Sequence, residues 1–129
     1  MAVYGQAINS LPIDKDRVFL FGASAETPFL SRCMEHNPGL WRGAILLNPS
    51  ALPGFSKSPS RQRLPRILIS AGGEERGEQR FKKFQTDVLR YGVLVDYIIH
   101  PGEGHHVMGS AAQLARTQAI MRFLFENQP

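Results

Sequence analysis

The chain has 129 residues, of which 43% are hydrophobic and 20% charged, with a net charge of +4 and a single cysteine. This length suits one domain with one core, and the lone Cys33 excludes an internal disulfide. No apolar run approaches the roughly 18 residues that a membrane span needs. The first eleven residues have neither a basic start nor a long apolar stretch, so we expect no signal peptide and a cytoplasmic location.

Short apolar runs alternate with segments of helical periodicity along the chain. The predicted strands are Arg17–Phe21, Gly43–Asn48, Arg66–Ala71 and Leu94–Ile99. The predicted helices are one that ends near Leu11, then Thr27–His36, Glu78–Tyr91 and Ala111–Glu126. The first two strands are unbroken apolar runs, typical of strands buried on both faces of a parallel sheet. The alternation predicts an α/β fold with parallel pairing and right-handed crossovers.

Helical spacing also predicts which side chains face the core. The inward residues expected in the second helix are Phe29, Leu30, Cys33 and Met34, and in the last helix Leu114, Ile120, Met121, Phe123 and Leu124. Cys33 is expected to be a buried, inert thiol. Trp41 stands between the second helix and the second strand, where it is expected to cover the corner.

A long loop is predicted over residues 49–65, which contain four Pro, four Ser and one Gly. The basic cluster of the chain runs from the second part of this loop to the first residue of the third strand and is made of Lys57, Arg61, Arg63 and Arg66. No aromatic residues are interleaved with these cations, as they are in many nucleic-acid surfaces. The cluster therefore predicts a solvated loop, and nucleic acid is not an expected partner.

The segment from Arg17 to Glu26 combines a strand, a sharp turn and the start of a helix. Gly22 ends the strand and Ser24 stands at the tip of the turn, an arrangement that exposes a nucleophilic hydroxyl. Small residues are needed there because a large side chain would clash with the next helix. Glu26 occupies the position of a second glycine, where its carboxylate is expected to crowd the turn. The alternative is that Ser24 serves only as a helix N-cap.

Polar residues follow two later strands as well. Glu74 and Glu75 come after the third strand, and His105 and His106 come after the fourth. The carboxyl ends of parallel strands meet at one edge of a sheet, where ligands bind. The chain order is therefore Ser, acid, His. A neutral imidazole can accept the serine proton, and a carboxylate can fix the imidazole tautomer.

Three motifs give the chain a resemblance to a known family. They are D-x-x-R-V-x-L-x-G-x-S over Asp14–Ser24, a strand ending in G-x-x-E over Gly72–Glu75, and Pro-x-x-x-His over Pro101–His105. Together they resemble the C-terminal half of an α/β-hydrolase, most similar to prolyl oligopeptidase and dienelactone-hydrolase-like esterases.

The resemblance implies a partial α/β-hydrolase fold with about four parallel strands and flanking helices. Residues 1–129 would form one domain without the family's N-terminal strands. Ser24 would be the nucleophile, His105 the general base and Glu75 the orienting acid. The N–H of Ala25 would bind the oxyanion, while the loop that supplies a second N–H in the family would be missing. Loss of one such donor typically costs on the order of 10²–10³ in rate.

Other kinds of site have weaker support in the sequence. His100, Glu103, His105 and His106 lie close together, but the prolines and glycines among them exclude the helical spacing of zincin-type motifs. The Gly22-x-Ser24 turn lacks the further glycines that admit a dinucleotide pyrophosphate. We therefore expect no metal and no cofactor.

Two functions remain open at this point. The first is a serine hydrolase that acts on an acyl ester or amide of a small molecule or peptide. The second is a non-catalytic α/β-hydrolase-like module used for binding or assembly. A four-stranded sheet leaves an edge uncovered, which favours pairing with a second copy of the chain.

Overall fold

The computed structural model describes residues 1–55 and 63–125. The second part of the predicted loop, with Lys57 and Arg61, and Glu126 of the last predicted helix lie outside this range. The strands in the described part are β1 (Phe19–Ala23), β2 (Gly43–Leu47), β3 (Arg66–Gly72) and β4 (Val95–His100). The helices there are α1 (Ala2–Ser10), α2 (Thr27–His36), α3 (Glu78–Leu89) and α4 (Ser110–Phe125).

The four strands form one parallel sheet in the order β1-β2-β3-β4. The α/β class and the parallel pairing predicted from the sequence are therefore confirmed. In register, Ala23 of β1 lies beside Leu47 of β2, and Leu47 lies beside Ser70 of β3. The segments that follow the strands consequently leave the sheet at the same edge, which brings Ser24 near the turns that follow β2, β3 and β4.

One face of the sheet is covered by α2 and α3, and we call it the α2–α3 face. Its core is continuous and apolar, with fully buried residues from the sheet and from both helices. The buried members are Leu30, Met34, Trp41, Ala44, Leu46, Ile67, Ile69, Ala71, Phe81, Phe84, Val88, Val93 and Val95. Trp41 covers the corner between α2 and β2 as predicted, and its indole N–H donates to the carbonyl of Cys33 at 3.1 Å. The Cys33 thiol is only partly buried.

The opposite face is covered by α4 alone, and we call it the α4 face. Ile45, Leu68 and Phe123 are its buried apolar residues. The Phe123 ring lies so close to Gly43 that a side chain at that position would clash with it. α4 packs over β3 and β4. It reaches the outer strand β1 through the edge contact between the rings of Phe123 and Phe19, and the rest of β1 is left uncovered on this side.

The prediction that the first strand is buried on both faces is therefore wrong. Phe21, on the α4 face of β1, is 59% exposed. The strand also begins two residues later than predicted, because Lys15–Arg17 form a short 3-10 turn. The Asp14 carboxylate accepts the N–H of Asp16 at 3.0 Å and caps that turn.

Three side chains predicted to face inward are exposed, namely Phe29 of α2 and Leu114 and Met121 of α4. In each helix, the side that packs against the sheet is narrower than the side that carries apolar residues. α2 packs through Leu30 and Met34, and Phe29 lies about 100° away from Leu30 around the helix. Ile120 and Leu124 are half-buried, as their inward position requires.

The described part of the basic cluster makes ion pairs at the surface. Arg63 lies 3.7 Å from the Asp16 carboxylate, and Arg66 lies 3.4 Å from that of Asp96. Among the described residues, no helix has both the length and the apolar character needed to span a membrane.

Candidate active site

Ser24 occupies a sharp turn between β1 and α2. Its φ is +49°, in the left-handed region that non-glycine residues rarely adopt. A Cβ on Gly22 would lie 2.6 Å from Cδ1 of Leu30, so only glycine lets α2 approach β1 this closely. The turn thus places the serine hydroxyl beyond the end of the strand, as the sequence predicted.

Two hydroxyl groups hold the backbone of this turn. The Ser24 carbonyl accepts hydrogen bonds from Thr27 Oγ1 at 2.6 Å and from Ser50 Oγ at 2.9 Å. Thr27 Oγ1 also accepts the N–H of Ser50 at 3.0 Å, and Thr27 is completely buried. The loop after β2 is therefore bonded directly to the serine turn.

Glu26 does not crowd the turn as the sequence suggested. Its Oε2 atom accepts the N–H of Ala23 at 3.0 Å, so the side chain closes the turn back onto the end of β1. Ala25 is exposed, at the second position of the 3-10 turn Ser24–Glu26. The first N–H groups of such a turn have no acceptor inside it, which leaves the Ala25 N–H available to a ligand.

Glu75 lies in a 3-10 turn, Gly73–Glu75, that directly follows β3. Its Oε1 atom is hydrogen-bonded to Nδ1 of His105. The N–H of the neighbouring Glu74 donates to the Glu103 carbonyl at 3.0 Å. Of the two adjacent glutamates, the structure thus brings the predicted one to the histidine.

The loop that carries His105 is packed against the end of β3. A side chain at Gly72 would overlap the backbone of Glu103 and Gly104, so glycine is required for this approach. The Glu103 carboxylate accepts the N–H groups of Met108 and Gly109 at 2.8 and 3.0 Å, which fixes the loop ahead of α4.

His105 connects the two other predicted residues. Its Nε2 atom lies 2.8 Å from Ser24 Oγ, while Nδ1 meets Glu75. His106 packs edge-on against the His105 ring at a centroid distance of 5.2 Å. Ser24, His105 and Glu75 thus form a continuous chain of hydrogen bonds across the carboxyl edge of the sheet.

The surroundings of Glu75 favour its ionised form. Burial by itself raises the pKa of Glu75, but hydrogen bonds from Asn48 and His105 and the charges of His105 and Arg80 outweigh burial and lower it. The His105 and Glu75 side chains are 43% and 29% exposed. The carboxylate can therefore hold the imidazole in one orientation, although the site is open to water.

The histidine cluster considered as a metal site is dispersed in the structure. His100 is buried and hydrogen-bonded to Ser70, and the Glu103 carboxylate is taken up by backbone N–H groups. Within residues 1–55 and 63–125, no three His, Cys, Asp or Glu side chains are grouped so that they could hold a metal ion.

A polar network that the sequence analysis missed lies behind Glu75. Asn48 Nδ2 donates to Glu75 Oε2 at 2.9 Å, and Asn48 Oδ1 accepts from Arg116 Nη2 at 2.7 Å. Arg116 Nε donates in turn to Ser70 Oγ at 2.8 Å, and this hydroxyl lies 2.9 Å from His100 Nε2. Asn48 directly follows β2, so the strand-end argument used for Ser24 and Glu75 would have identified it.

An open cavity of about 260 Å³ adjoins Ser24. Its wall combines the site with apolar side chains from β2 and from the histidine loop. The lining residues are Ala23, Ser24, Leu47, Asn48, His105, His106, Val107, Met108 and Arg116. The serine hydroxyl and the histidine ring thus face a space that a small group can enter.

No protein-family model matches the chain, and no curated protein matches it in sequence. Solved structures do match its fold. Dipeptidyl peptidase 4 of Porphyromonas gingivalis superposes with a TM-score of 0.71 at 18% identity, over 95% of this chain and 21% of that protein. S-formylglutathione hydrolase (FrmB) of Staphylococcus aureus gives a TM-score of 0.66 at 18% identity, over 95% of this chain and 57% of that protein. SOBER1 of Arabidopsis thaliana gives a TM-score of 0.66 at 20% identity, over 95% of this chain and 60% of that protein.

These structures belong to α/β-hydrolase proteins. The chain therefore has the α/β-hydrolase fold, and the match is consistent with the C-terminal part of that fold, as the sequence motifs predicted. The chain spans 21% to 60% of the lengths of these proteins.

Proposed function

We propose that this protein is a serine hydrolase of esterase or peptidase type. The single observation that carries the proposal is the 2.8 Å contact between Ser24 Oγ and His105 Nε2, with Glu75 at the other ring nitrogen. This arrangement activates a serine hydroxyl, because the ring can take its proton while the carboxylate stabilises the resulting imidazolium. The α/β-hydrolase fold and the names of its structural neighbours, a peptidase and a hydrolase among them, support this class of reaction.

Acylation follows from this geometry. Ser24 Oγ attacks the carbonyl carbon of the substrate and its proton moves to His105 Nε2. The carbonyl oxygen becomes an oxyanion that accepts the N–H of Ala25. When the tetrahedral intermediate collapses, the bond to the leaving group breaks and His105 returns the proton to that group.

Deacylation repeats these steps with water. A water molecule gives a proton to His105 and attacks the acyl-Ser24 carbon, and the carboxylic acid is released as Ser24 regains its proton. The cavity beside Ser24 has room for a small acyl or leaving group. The substrate class is therefore a small-molecule or peptide acyl ester or amide, and the likeness to prolyl oligopeptidase and dienelactone-hydrolase-like esterases belongs to this proposal.

Fluorophosphonate labelling of the purified, folded protein tests the proposal. The serine oxygen forms a bond to phosphorus and fluoride leaves, so the adduct marks an activated serine. Mass spectrometry should locate the adduct on Ser24, and Ser24→Ala should abolish it. Absence of an adduct from a folded sample would overturn the proposal.

Adjacent residues of the same type provide matched controls. His105→Ala and Glu75→Gln should slow labelling of Ser24 strongly. Glu74→Gln should leave it nearly unchanged, and His106→Ala, which removes a ring in edge contact with His105, should slow it much less than His105→Ala. Equal effects within either pair would contradict the assigned roles.

A second candidate is a non-catalytic module for binding or assembly. It is favoured by the exposed Phe21 on the uncovered edge strand and by the openness of the Ser24 site. This function predicts no adduct on a folded sample, together with self-association through the edge of β1.

The remaining expectations stay predictions. They are a single domain over residues 1–129, a cytoplasmic location, a homo-oligomer formed through the sheet edge, and the lack of nucleic-acid and membrane partners.

A further inference from the structure

The acid of the proposed triad, Glu75, is a long side chain whose carboxylate must be oriented toward His105. Glutamate carries one more methylene than aspartate, and therefore has one more torsion to fix. Its turn is short and exposed, and it ends at Arg76 in the left-handed conformation (φ +53°). The orientation of the Glu75 carboxylate must therefore come from groups outside its own turn.

We propose that Asn48, held in place by Arg116, is a positioning residue that fixes Glu75 against His105. The inference rests on the proposed function of Ser24. Asn48 Nδ2 donates to Glu75 Oε2 at 2.9 Å, and the other carboxylate oxygen is then directed at His105 Nδ1. One side chain thus selects which oxygen the imidazole meets.

The orientation of the Asn48 carboxamide is determined by its partners. Arg116 can only donate, so the Asn48 atom that faces it must be the oxygen. Glu75 as a carboxylate can only accept, so the atom that faces it must be the nitrogen. A reversed amide would set donor against donor and acceptor against acceptor.

Arg116 is itself held by buried groups. Its Nε atom donates to Ser70 Oγ, and Ser70 and His100 are both buried. Ser70 Oγ accepts from Arg116 Nε and is also hydrogen-bonded to His100 Nε2 at 2.9 Å. A chain of hydrogen bonds consequently runs from the core of the sheet to the exposed acid.

The backbone of Asn48 offers a clean way to test its side chain. Its φ is +44° and its N–H donates to the Ser70 carbonyl at 2.7 Å. Glycine adopts this conformation at least as readily as asparagine, so Asn48→Gly removes the carboxamide while the turn is retained. Asn48→Asp keeps the shape but places a second carboxylate beside Glu75.

We expect Asn48→Gly to slow fluorophosphonate labelling of Ser24 on the order of 10- to 100-fold. Asn48→Asp sets an acceptor against an acceptor at Glu75 and should slow labelling as well. Asn48→Gly should move the acid limb of the labelling profile to lower pH, because the Glu75 carboxylate is no longer held against the ring. The other charges facing Glu75, Arg80 of α3 and Arg116 of α4, are the same in both variants.

Two controls separate positioning from a general loss of structure. Arg76→Gly also replaces a left-handed residue near Glu75, and Arg122→Met removes an exposed cation of α4. Both should label at close to the rate of the unmodified protein, whereas Arg116→Met should be slowed. A wild-type rate for Asn48→Gly, or a slow rate with an unchanged pH profile and a reduced thermal midpoint, would overturn the inference.

A spectroscopic measurement keeps this test independent of activity. ¹⁵N shifts of the His105 ring report which nitrogen carries the proton, and contact with Glu75 requires the Nδ1–H tautomer in the neutral ring. We expect this tautomer in the unmodified protein and a mixture of tautomers in Asn48→Gly. An unlabelled wild type would overturn the proposed function, while an unchanged tautomer in Asn48→Gly would overturn the role of Asn48.

Discussion

The two faces of the sheet are built on different principles. The α2–α3 face is a continuous apolar core to which both helices and the central strands contribute. The α4 face has a small apolar cluster around Phe123, and beside it the polar network of Arg116, Ser70 and His100. Toward β1 this face ends in the exposed Phe21.

The difference separates what stabilises the chain from what organises its site. Burial of apolar area on the α2–α3 face is the main source of folding free energy. The groups that support Glu75 reach it from the α4 face, where fewer apolar side chains are packed. Substitutions on the two faces should therefore differ in which property they change.

The largest effect on stability is expected from a cavity on the α2–α3 face. Ile69 of β3 is completely buried there, and Ile69→Ala should lower the free energy of unfolding by about 2–5 kcal/mol. Leu114→Ala, at an exposed position of α4, should change it by less than about 0.5 kcal/mol. Urea denaturation of both variants measures the contrast, and similar losses would contradict the division between the faces.

A close contact on the same face gives the next largest effect. A Cβ at Gly22 would lie 2.6 Å from Leu30, so Gly22→Ala should cost about 1–3 kcal/mol and slow labelling of Ser24. Gly5 of α1 has no atom within 4 Å of the corresponding position. Gly5→Ala should therefore stabilise the protein, by up to about 1 kcal/mol. A stabilising Gly22→Ala would show that α2 can move away from β1.

A pH effect should reveal the polar network of the α4 face. Burial, followed by the charge of Arg116, lowers the pKa of His100, while Glu103 opposes this shift. The unfolded chain takes up a proton on His100 near pH 6.5 and the folded chain only at lower pH. This contribution to stability is therefore complete above pH 6.5 and is lost as the pH falls below it.

The midpoints of urea denaturation at pH 7.5 and pH 5.5 measure this loss. Both pH values lie above the range in which the carboxylates of Glu75 and Glu103 titrate, so these two groups stay ionised. His100→Gln should reduce the difference between the two midpoints, and His106→Gln should not. An unchanged difference in His100→Gln would assign the pH effect to another group.

The smallest effect on stability is expected at the uncovered edge. Phe21→Ser should change the free energy of unfolding by less than about 0.5 kcal/mol, because the ring is already exposed. It should, however, reduce the self-association proposed for this edge, which sedimentation or light scattering can measure. Leu94→Ser, beside the opposite edge strand β4 and also exposed, serves as the matched control. If Leu94→Ser dissociates the oligomer instead, the interface lies at β4.

The sequence predicted the elements well where their limits are set locally. α2 covers Thr27–His36 as expected, because Pro28 suits a first helical turn and a proline follows soon after its end. The start of β1 was misplaced because the Asp14 cap draws Arg17 into a 3-10 turn. The exposure of Phe21, Leu114 and Met121 depends on which elements cover each face, and helical or strand periodicity carries no information about that.

The candidate site divides in the same way. Ser24, Glu75 and His105 could be named from the sequence because each follows a parallel strand, and strand ends of one sheet converge. Asn48 follows a strand too, but the sequence pattern assigns it to the end of that strand and not to the site. Arg116 stands in the middle of a helix, where nothing in the local sequence distinguishes a cation that points at the site from one in solvent.

Glu75 and His105 are joined to each other more firmly than either is joined to Ser24. Glu103 and Gly104 rest on Gly72, and the Glu74 N–H bonds the Glu103 carbonyl, so the segments after β3 and β4 move as one piece. Ser24 directly follows the outer strand β1. Its turn is bonded to Ser50 after β2, and its contact with the segments after β3 and β4 is the hydrogen bond to His105. β1 and β4 are both edge strands, but β4 is packed against α3 and α4 whereas Phe21 of β1 is exposed, so β1 is expected to open at the lower free energy. On heating, the reactivity of Ser24 should consequently be lost some degrees below the melting temperature of the protein. Inactivation would then report the release of β1 rather than the unfolding of the whole domain.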